Sequence, residues 1–292
     1  MIEPLKLLAC QIDVPPMASL ADRDRHLDRV AALLETELQT TPADLVVLPE
    51  LSSLDYGRST FERLADFAEP LQGPSFESLC GIARRFGVAI VYGIPRRADG
   101  VYHISQVAMG PDGAILGHYD KLHIAQYGAS CEKEFFARGN RLFVFEHRGL
   151  RIAPIVCYDI RVPELSRTLA LERRVDLLLH CGAYARDESF HSWHAFVVAR
   201  AMENQIYVLS LNRAGEAFGN SLFCSPWVDE RTPAVAFPET AEALLSLDVD
   251  PARIRDVRAR YSFLKDRLPD YGALGDARTA DPRTRVKKPT PA

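Results

Sequence analysis

Long apolar runs are missing from this chain. No stretch approaches the roughly 18–20 consecutive apolar residues that a membrane-crossing helix needs. Positive charge is not in excess either. The 35 Lys and Arg stand against 39 Asp and Glu, a formal charge of −4. That balance excludes nucleic-acid binding driven by bulk charge, although not a small basic pocket. Paired cysteines are absent. Cys10, Cys80, Cys131, Cys157, Cys181 and Cys224 lie far apart with no CxxC, so neither a zinc knuckle nor a thioredoxin motif is visible. Six thiols in 292 residues do not make a disulfide framework. Most are expected as small buried apolar side chains, and the question is whether one is reactive. Lysine is scarce, 6 residues against 29 arginines, so a lysine inside apolar sequence stands out.

What is present has the balance of an ordinary globular protein, 47% hydrophobic and 25% charged. The opening MIEPLKLLACQID is too charged and too short in its apolar part for a secretory segment. It reads as a first strand, and the expected location is the cytoplasm. No Pro/Gly/Ser linker divides the chain and no short-period repeat is seen. The expectation is one domain over 1–265. A tail over 266–292, rich in Pro, Arg, Asp and Lys, cannot build a core and is either extended or packed on a partner subunit.

Strand and helix patterns alternate. LKLLACQI (5–12), ADLVVLPE (43–50) and VAIVYGIP (88–95) read as buried strands around helices at about 22–39 and 74–85. VYHISQVAM and AILGHYD flank the turn signal Pro111-Asp112-Gly113. The second half repeats the grammar. Strands LFVFEH (142–147), LRIAPIVC (150–157), VDLLLHCG (175–182) and IYVLSLN (206–212) surround helices at 163–174 and 189–204. Three further β segments and a last helix, PARIRDVRARYSF, complete the pattern. Strands apolar on both faces require cover on both sides, giving an α/β fold.

Three polar residues sit at or just beyond the carboxyl ends of apolar strands: Glu50 after LVVLP, Lys121 after ILGHYD and Cys157 after RIAPIV. Side chains at such ends project into the crevice where ligands bind. A thiol, a carboxylate and an ammonium together can carry out acyl transfer, as nucleophile, base and oxyanion partner. Taken singly each has a plainer reading: a structural thiol, a helix cap or ion pair, a solvated lysine. The pair His191 and His194 has the i, i+3 spacing of metal ligands, but no third ligand is in sight and no metal is expected.

The local sequences decide between these readings. LVVLPEL (45–51), YDKLHI (119–124) and VCYDIRVPELSR (156–167) occur in this order. The set resembles the nitrilase, or carbon–nitrogen hydrolase, superfamily. Further resemblance runs through CEKEFFARGN (131–140), WHAFVVARAMENQIYVLSLNRAG (193–215), NSLFCSPW (220–227) and VRARYSFLKDR (257–267), so it covers roughly 5–267. It implies a four-layer α-β-β-α sandwich, no cofactor and a homodimer or higher homo-oligomer. It makes Cys157 the nucleophile, Glu50 the general base and Lys121 the stabiliser of the tetrahedral intermediate, helped by the backbone N–H of Tyr158. Glu132 matches the family's second glutamate, with Glu134 as its rival. Arg161 is a candidate partner for a substrate carboxylate; a bridge to Glu164 or a helix end is its alternative. Cys181 is expected on the pocket wall. Arg200 and Glu203 are expected as structural ion pairs.

Two segments depart from the family pattern. HCGAYARDESFHS (180–192) lacks the Pro or Asn and bulky apolar residue often found there, and SPWVDE lacks the glycine that often follows Pro-Trp. The CYDIRxPEL wording looks closer to ω-amidase-like enzymes than to true nitrilases, so the expected substrate is a small carboxylate-bearing primary amide. The alternatives are an N-carbamoyl amino acid amidohydrolase, a nitrilase and a catalytically silent binding homologue. No nucleic-acid or membrane partner is expected.

Overall fold

The computed structural model describes residues 3–274. One sheet is laid down first: β1 (Leu5–Gln11), β2 (Leu45–Val47), β3 (Ala89–Ala98), β4 (Val101–Met109) and β5 (Ile115–Asp120). A second follows: β6 (Phe145–His147), β7 (Leu150–Val156), β8 (Leu177–Cys181), β9 (Tyr207–Leu211), β10 (Leu222–Cys224) and β11 (Val235–Ala236). The chain then returns through β12 (Ala243–Val249), antiparallel to β1 with Leu5 opposite Val249. The strand orders are β12-β1-β2-β3-β4-β5 and β11-β10-β9-β8-β7-β6. Each sheet holds three neighbouring parallel strands, β1–β2–β3 and β7–β8–β9, flanked by antiparallel ones. This is the repeated grammar of the two halves.

The layers follow from the two-residue alternation of strand side chains. Leu5, Leu7, Ala9, Leu45 and Val47 of the first sheet pack against Ile152, Leu177, Leu179 and Leu209 of the second. The odd-numbered face of β1 thus fills the space between the sheets. Leu8, Cys10 and Val46 face the other way, into the core under the helices. Helices α1 (Leu20–Leu38) and α4 (Pro74–Phe86) contribute to that core on the first side, α5 (Pro163–Leu171) and α6 (Phe190–Asn204) on the second. The result is a four-layer sandwich.

Local chemistry sets the element ends. Ser19 caps α1 by accepting the N–H of Asp22. Pro74 opens α4, and Gly87 closes it at φ +65°. Asp99-Gly100 and Arg148-Gly149 both have positive φ at two successive residues, as two-residue hairpin turns require, and they join β3 to β4 and β6 to β7.

Several elements are shorter than the sequence suggests. The apolar run 43–50 forms a strand only over Leu45–Val47, because Pro49 cannot donate to the ladder and Leu51 turns at φ +45°. Strand β6 begins at Phe145 rather than 142. The last long helix, α7 (Pro251–Arg260), stops before Tyr261, whose ring stacks on Trp227 at 3.6 Å. Two one-turn helices, α2 (Arg58–Phe61) and α3 (Leu64–Phe67), were not foreseen. A further turn, α8 (Phe263–Asp266), crosses the expected domain boundary, and residues 266–274 are exposed. The rest of the expected tail, 275–292, lies outside the described residues. No described helix is long and apolar enough to cross a membrane.

Two buried histidines are expected to make the fold acid-sensitive. His26 bonds the carbonyl of Ser52 at 2.8 Å and His180 lies beside Cys157. Burial holds both down at about 4. The unfolded chain therefore binds more protons between about pH 6.5 and pH 4. Stability is complete above that window and falls as the pH drops through it, by on the order of 3 kcal/mol per histidine. Denaturant midpoints at pH 7, 6 and 5 should decline, and the His26→Gln variant should show a shallower decline. Parallel curves would remove His26 from this effect.

Candidate active site

The segments beyond the carboxyl ends of β2 and β8 meet, joined by the Ala183 amide and the Glu50 carboxylate. Glu50 follows β2 and opens the turn over 50–54. That turn is pinned from outside by Arg213, just beyond β9, whose buried guanidinium donates to the carbonyls of Glu50 (3.1 Å), Leu51 (2.6 Å) and Leu54 (2.5 Å). It is pressed from the side by β3. A Cβ on Gly93 would lie 2.5 Å from both the Pro49 carbonyl and the Leu51 amide, so only glycine permits this approach.

Lys121 follows β5 and is fully buried, as are Glu50 and Glu132. Its Nζ donates to Glu50 Oε1 at 2.9 Å and to Glu132 Oε1 at 2.7 Å. The other oxygen of each carboxylate accepts a backbone amide. The Ala183 amide donates to Glu50 Oε2 at 2.7 Å. The Ala125 amide donates to Glu132 Oε2 at 2.9 Å, and the Tyr56 hydroxyl to Glu132 Oε1 at 2.6 Å. Glu134, the rival for the second glutamate, is instead at the surface in a fork with Arg58 at 2.6 and 2.7 Å.

Cys157 opens the 3₁₀ turn Cys157–Arg161 at the end of β7, with φ +46°. A non-glycine residue there is sterically costly and is found where a side chain must be presented sharply. Asp159 braces the turn. It accepts the Val156 amide (2.9 Å) and the Tyr119 hydroxyl (2.7 Å) on one oxygen, and His123 through its amide (3.0 Å) and ring on the other. Tyr119 and His123 flank Lys121, so Asp159 ties the thiol turn to the lysine segment.

The electrostatics are those of a dry cluster. Burial pushes the Cys157 thiol well above its ordinary range, the Glu50 charge adds to this, and Lys121 opposes it. The resting thiol is protonated. Burial also raises Glu50, while Lys121 pulls the other way. A carboxylate so raised is a better proton acceptor than one in water. Lys121 loses by burial but gains more from Glu132 and Glu50, and stays well above its usual value. It is a fixed ammonium.

The thiol is buried but not sealed. With 7% of its surface exposed, Cys157 lines a narrow cleft together with Tyr56, Tyr127, Tyr184, Asp187 and Ser189. The Tyr158 ring lies tilted against that of Tyr127, at 5.3 Å between centroids. The Tyr158 amide is in the first turn of the 3₁₀ segment, where backbone donors lack intrahelical acceptors.

Two sequence expectations need correcting or refining. Cys181 is not on the cleft wall. It shares a face of β8 with Leu177 and Leu179 and is fully buried in the core between the sheets. The alternation of the strand turns its neighbour His180 toward Cys157 instead. Arg161 forms no bridge to Glu164. Its guanidinium donates to the Ser189 carbonyl at 3.0 Å and Ser192 Oγ at 3.3 Å and lies over the Phe196 ring at 4.9 Å. Arg200 does pair with Glu203, at 2.9 Å. His194 is spent on the Asn220 carbonyl at 2.7 Å. Tyr56, Arg213 and the Ala183 amide were not foreseen, since each is brought to the cluster only by the folding of distant segments.

Family and fold are shared with known proteins. The family model described as carbon-nitrogen hydrolase matches residues 8–259. The chain is 28% identical over 260 residues to the omega-amidase NIT2 of Xenopus tropicalis, covering 85% of this chain and 91% of that one. It is 28% identical over 264 residues to a probable nitrilase, C965.09, of Schizosaccharomyces pombe, covering 86% and 92%. Among solved structures, XC1258 of Xanthomonas campestris is described as a CN-hydrolase superfamily protein with an arsenic adduct in the active site. It superimposes with a TM-score of 0.77 at 26% identity, covering 93% of this chain and 99% of that one. Sheets, strand-end cluster and sequence match lead to one statement: this chain belongs to the carbon–nitrogen hydrolase family.

Proposed function

We propose that the protein hydrolyses the carbon–nitrogen bond of a small primary amide through a thioester on Cys157. The observation that carries this reading is the buried Glu50–Lys121–Glu132 bridge, at 2.9 and 2.7 Å, in the dry cluster whose charges act on a thiol that opens into a cleft. Glu50 takes the proton of Cys157 as the sulfur bonds to the amide carbon. The carbonyl oxygen becomes an oxyanion. Lys121 has spent two of its three N–H donors on carboxylates and offers the third, beside the Tyr158 amide. The C–N bond then breaks, and Glu50 returns its proton to the departing ammonia. Water attacks the thioester and gives a proton to Glu50. The acid leaves, and the proton goes back to sulfur. Glu132 holds Lys121 in place between the two carboxylates.

The omega-amidase relatives support amide over nitrile. The substrate class we favour is the ω-amide, with a carboxylate at the end remote from the scissile bond. Arg161 supports it. Among the described residues its guanidinium pairs with no carboxylate and its Nε has no partner, while Tyr127, whose ring lies 5.9 Å away, lines the cleft. A panel of ω-amides, N-carbamoyl amino acids and aliphatic nitriles, followed by ammonia release, tests the reading; turnover of nitriles alone would overturn it. Arg161→Ala should lower kcat/KM for carboxylate-bearing amides by about tenfold or more and spare neutral ones, the scale of a lost charge-assisted contact. Equal loss on both would remove Arg161 from substrate binding.

A further inference from the structure

A polar chain runs beside the thiol turn and has no part in the chemistry above. Trp193 on α6 donates its indole N–H to Ser210 Oγ at 2.9 Å. Ser210 Oγ lies 2.7 Å from His180 Nδ1, and His180 Nε2 lies 2.8 Å from the carbonyl oxygen of Cys157. That carbonyl also accepts the Tyr184 hydroxyl at 3.0 Å. His180 and Ser210 are directly opposite each other on β8 and β9. The Tyr184 ring lies flat on Trp193, 4.8 Å between centroids and 6° between planes. All four side chains are buried.

The donors can be assigned by counting protons. The indole can only donate, and the carbonyl can only accept. Ser210 accepts from Trp193 and has one hydrogen left, which goes to His180 Nδ1. His180 is then the neutral tautomer with its proton on Nε2, donated to Cys157. Burial keeps the ring neutral near pH 7.

The carbonyl matters because of what lies across the peptide bond. The link between Cys157 and Tyr158 is one trans plane, so its C=O and N–H point in opposite directions. Whatever fixes the oxygen therefore aims the Tyr158 N–H. This plane follows a residue at φ +46°, a conformation that must be held by its surroundings. Two donors on the oxygen hold it. They also polarise the peptide, which strengthens the N–H as a donor.

We propose that His180 and Tyr184, backed by Ser210 and Trp193, are positioning residues that aim the Tyr158 amide at the developing oxyanion. The inference rests on the amidase reading above. It also gives a use to the 180–184 segment HCGAY, part of the stretch that departs from the family pattern.

The test measures kcat and KM for ammonia release from one primary amide with the wild type, Tyr184→Phe, His180→Leu and His180→Gln. An oxyanion donor acts only in the transition state, so its misalignment lowers kcat and leaves KM alone. Tyr184→Phe should lose about tenfold in kcat and His180→Leu about a hundredfold, with KM within about twofold, as fractions of the 10²–10³ for a whole donor. Glutamine places an N–H near the position of Nε2, so His180→Gln should return to within about threefold of the wild type. If His180→Leu does not fold, Tyr184→Phe keeps the ring and its stack and carries the test alone. An unchanged kcat in Tyr184→Phe, a loss confined to KM, or His180→Gln as slow as His180→Leu would each overturn the inference. A wild type that releases no ammonia from any amide would instead overturn the reading of the site, and this inference with it.

Discussion

Cys157→Ala is expected to lose at least about 10⁴-fold in amide turnover, the scale for removing a covalent nucleophile, while its melting temperature stays within a few degrees. The two halves of that result have separate causes. Without sulfur there is no thioester route, and Glu50 and Lys121 are left facing a substrate that nothing attacks. The fold survives because the change removes one atom, from a residue that lines the cleft, and leaves the backbone contacts of the turn in place. The turn that carries it is held by Asp159, which accepts from Val156, Tyr119 and His123, none of which involves the sulfur. Residual turnover above about one per cent would mean that another group does the chemistry.

Lys121→Met is expected to harm both activity and stability. The methionine fills much the same volume but has no proton to give an oxyanion, so kcat should fall by about 10²–10³ or more. It also leaves Glu50 and Glu132 buried without a cation between them. Breaking a buried ion pair by removing one partner costs about 3–5 kcal/mol, reduced here if one carboxyl takes up a proton. The signature is a loss of stability that is largest at neutral pH and smaller in mild acid, where that proton is available. Denaturant midpoints at pH 7 and 5.5, compared with the wild type, read it out. A variant as stable as the wild type at both values would mean that the ammonium is not the partner holding these charges.

The fold was largely legible because its strands are apolar on both faces and its turns are punctuated by proline and glycine. Pro74 and Arg148-Gly149 act locally, and local signals survive in sequence. The one-turn helices Arg58–Phe61 and Leu64–Phe67 carry no such signal, being too short to show a period. At the site, Glu50, Lys121 and Cys157 were singled out because LVVLPEL, YDKLHI and VCYDIRVPELSR occur in the order of the family they resemble; strand-end position alone left plainer readings open. The groups that orient them were not. Arg213 reaches Leu54 across 159 positions and the Ala183 amide reaches Glu50 across 133, contacts that only the folded chain creates. Cys181 was misplaced by one residue of strand parity. The same alternation that buries it between the sheets brings His180 to the Cys157 turn. A strand end thus points toward a site, but which of two neighbouring side chains enters it depends on register, which the sequence does not display.

The most direct measurement is the intact mass of the protein during turnover of a slowly hydrolysed primary amide. A transient gain equal to the acyl group, located by peptide mapping on Cys157 and absent in Cys157→Ala, is the predicted result. Steady ammonia release with no adduct on Cys157, or with the acyl group on another of the six cysteines, would contradict it.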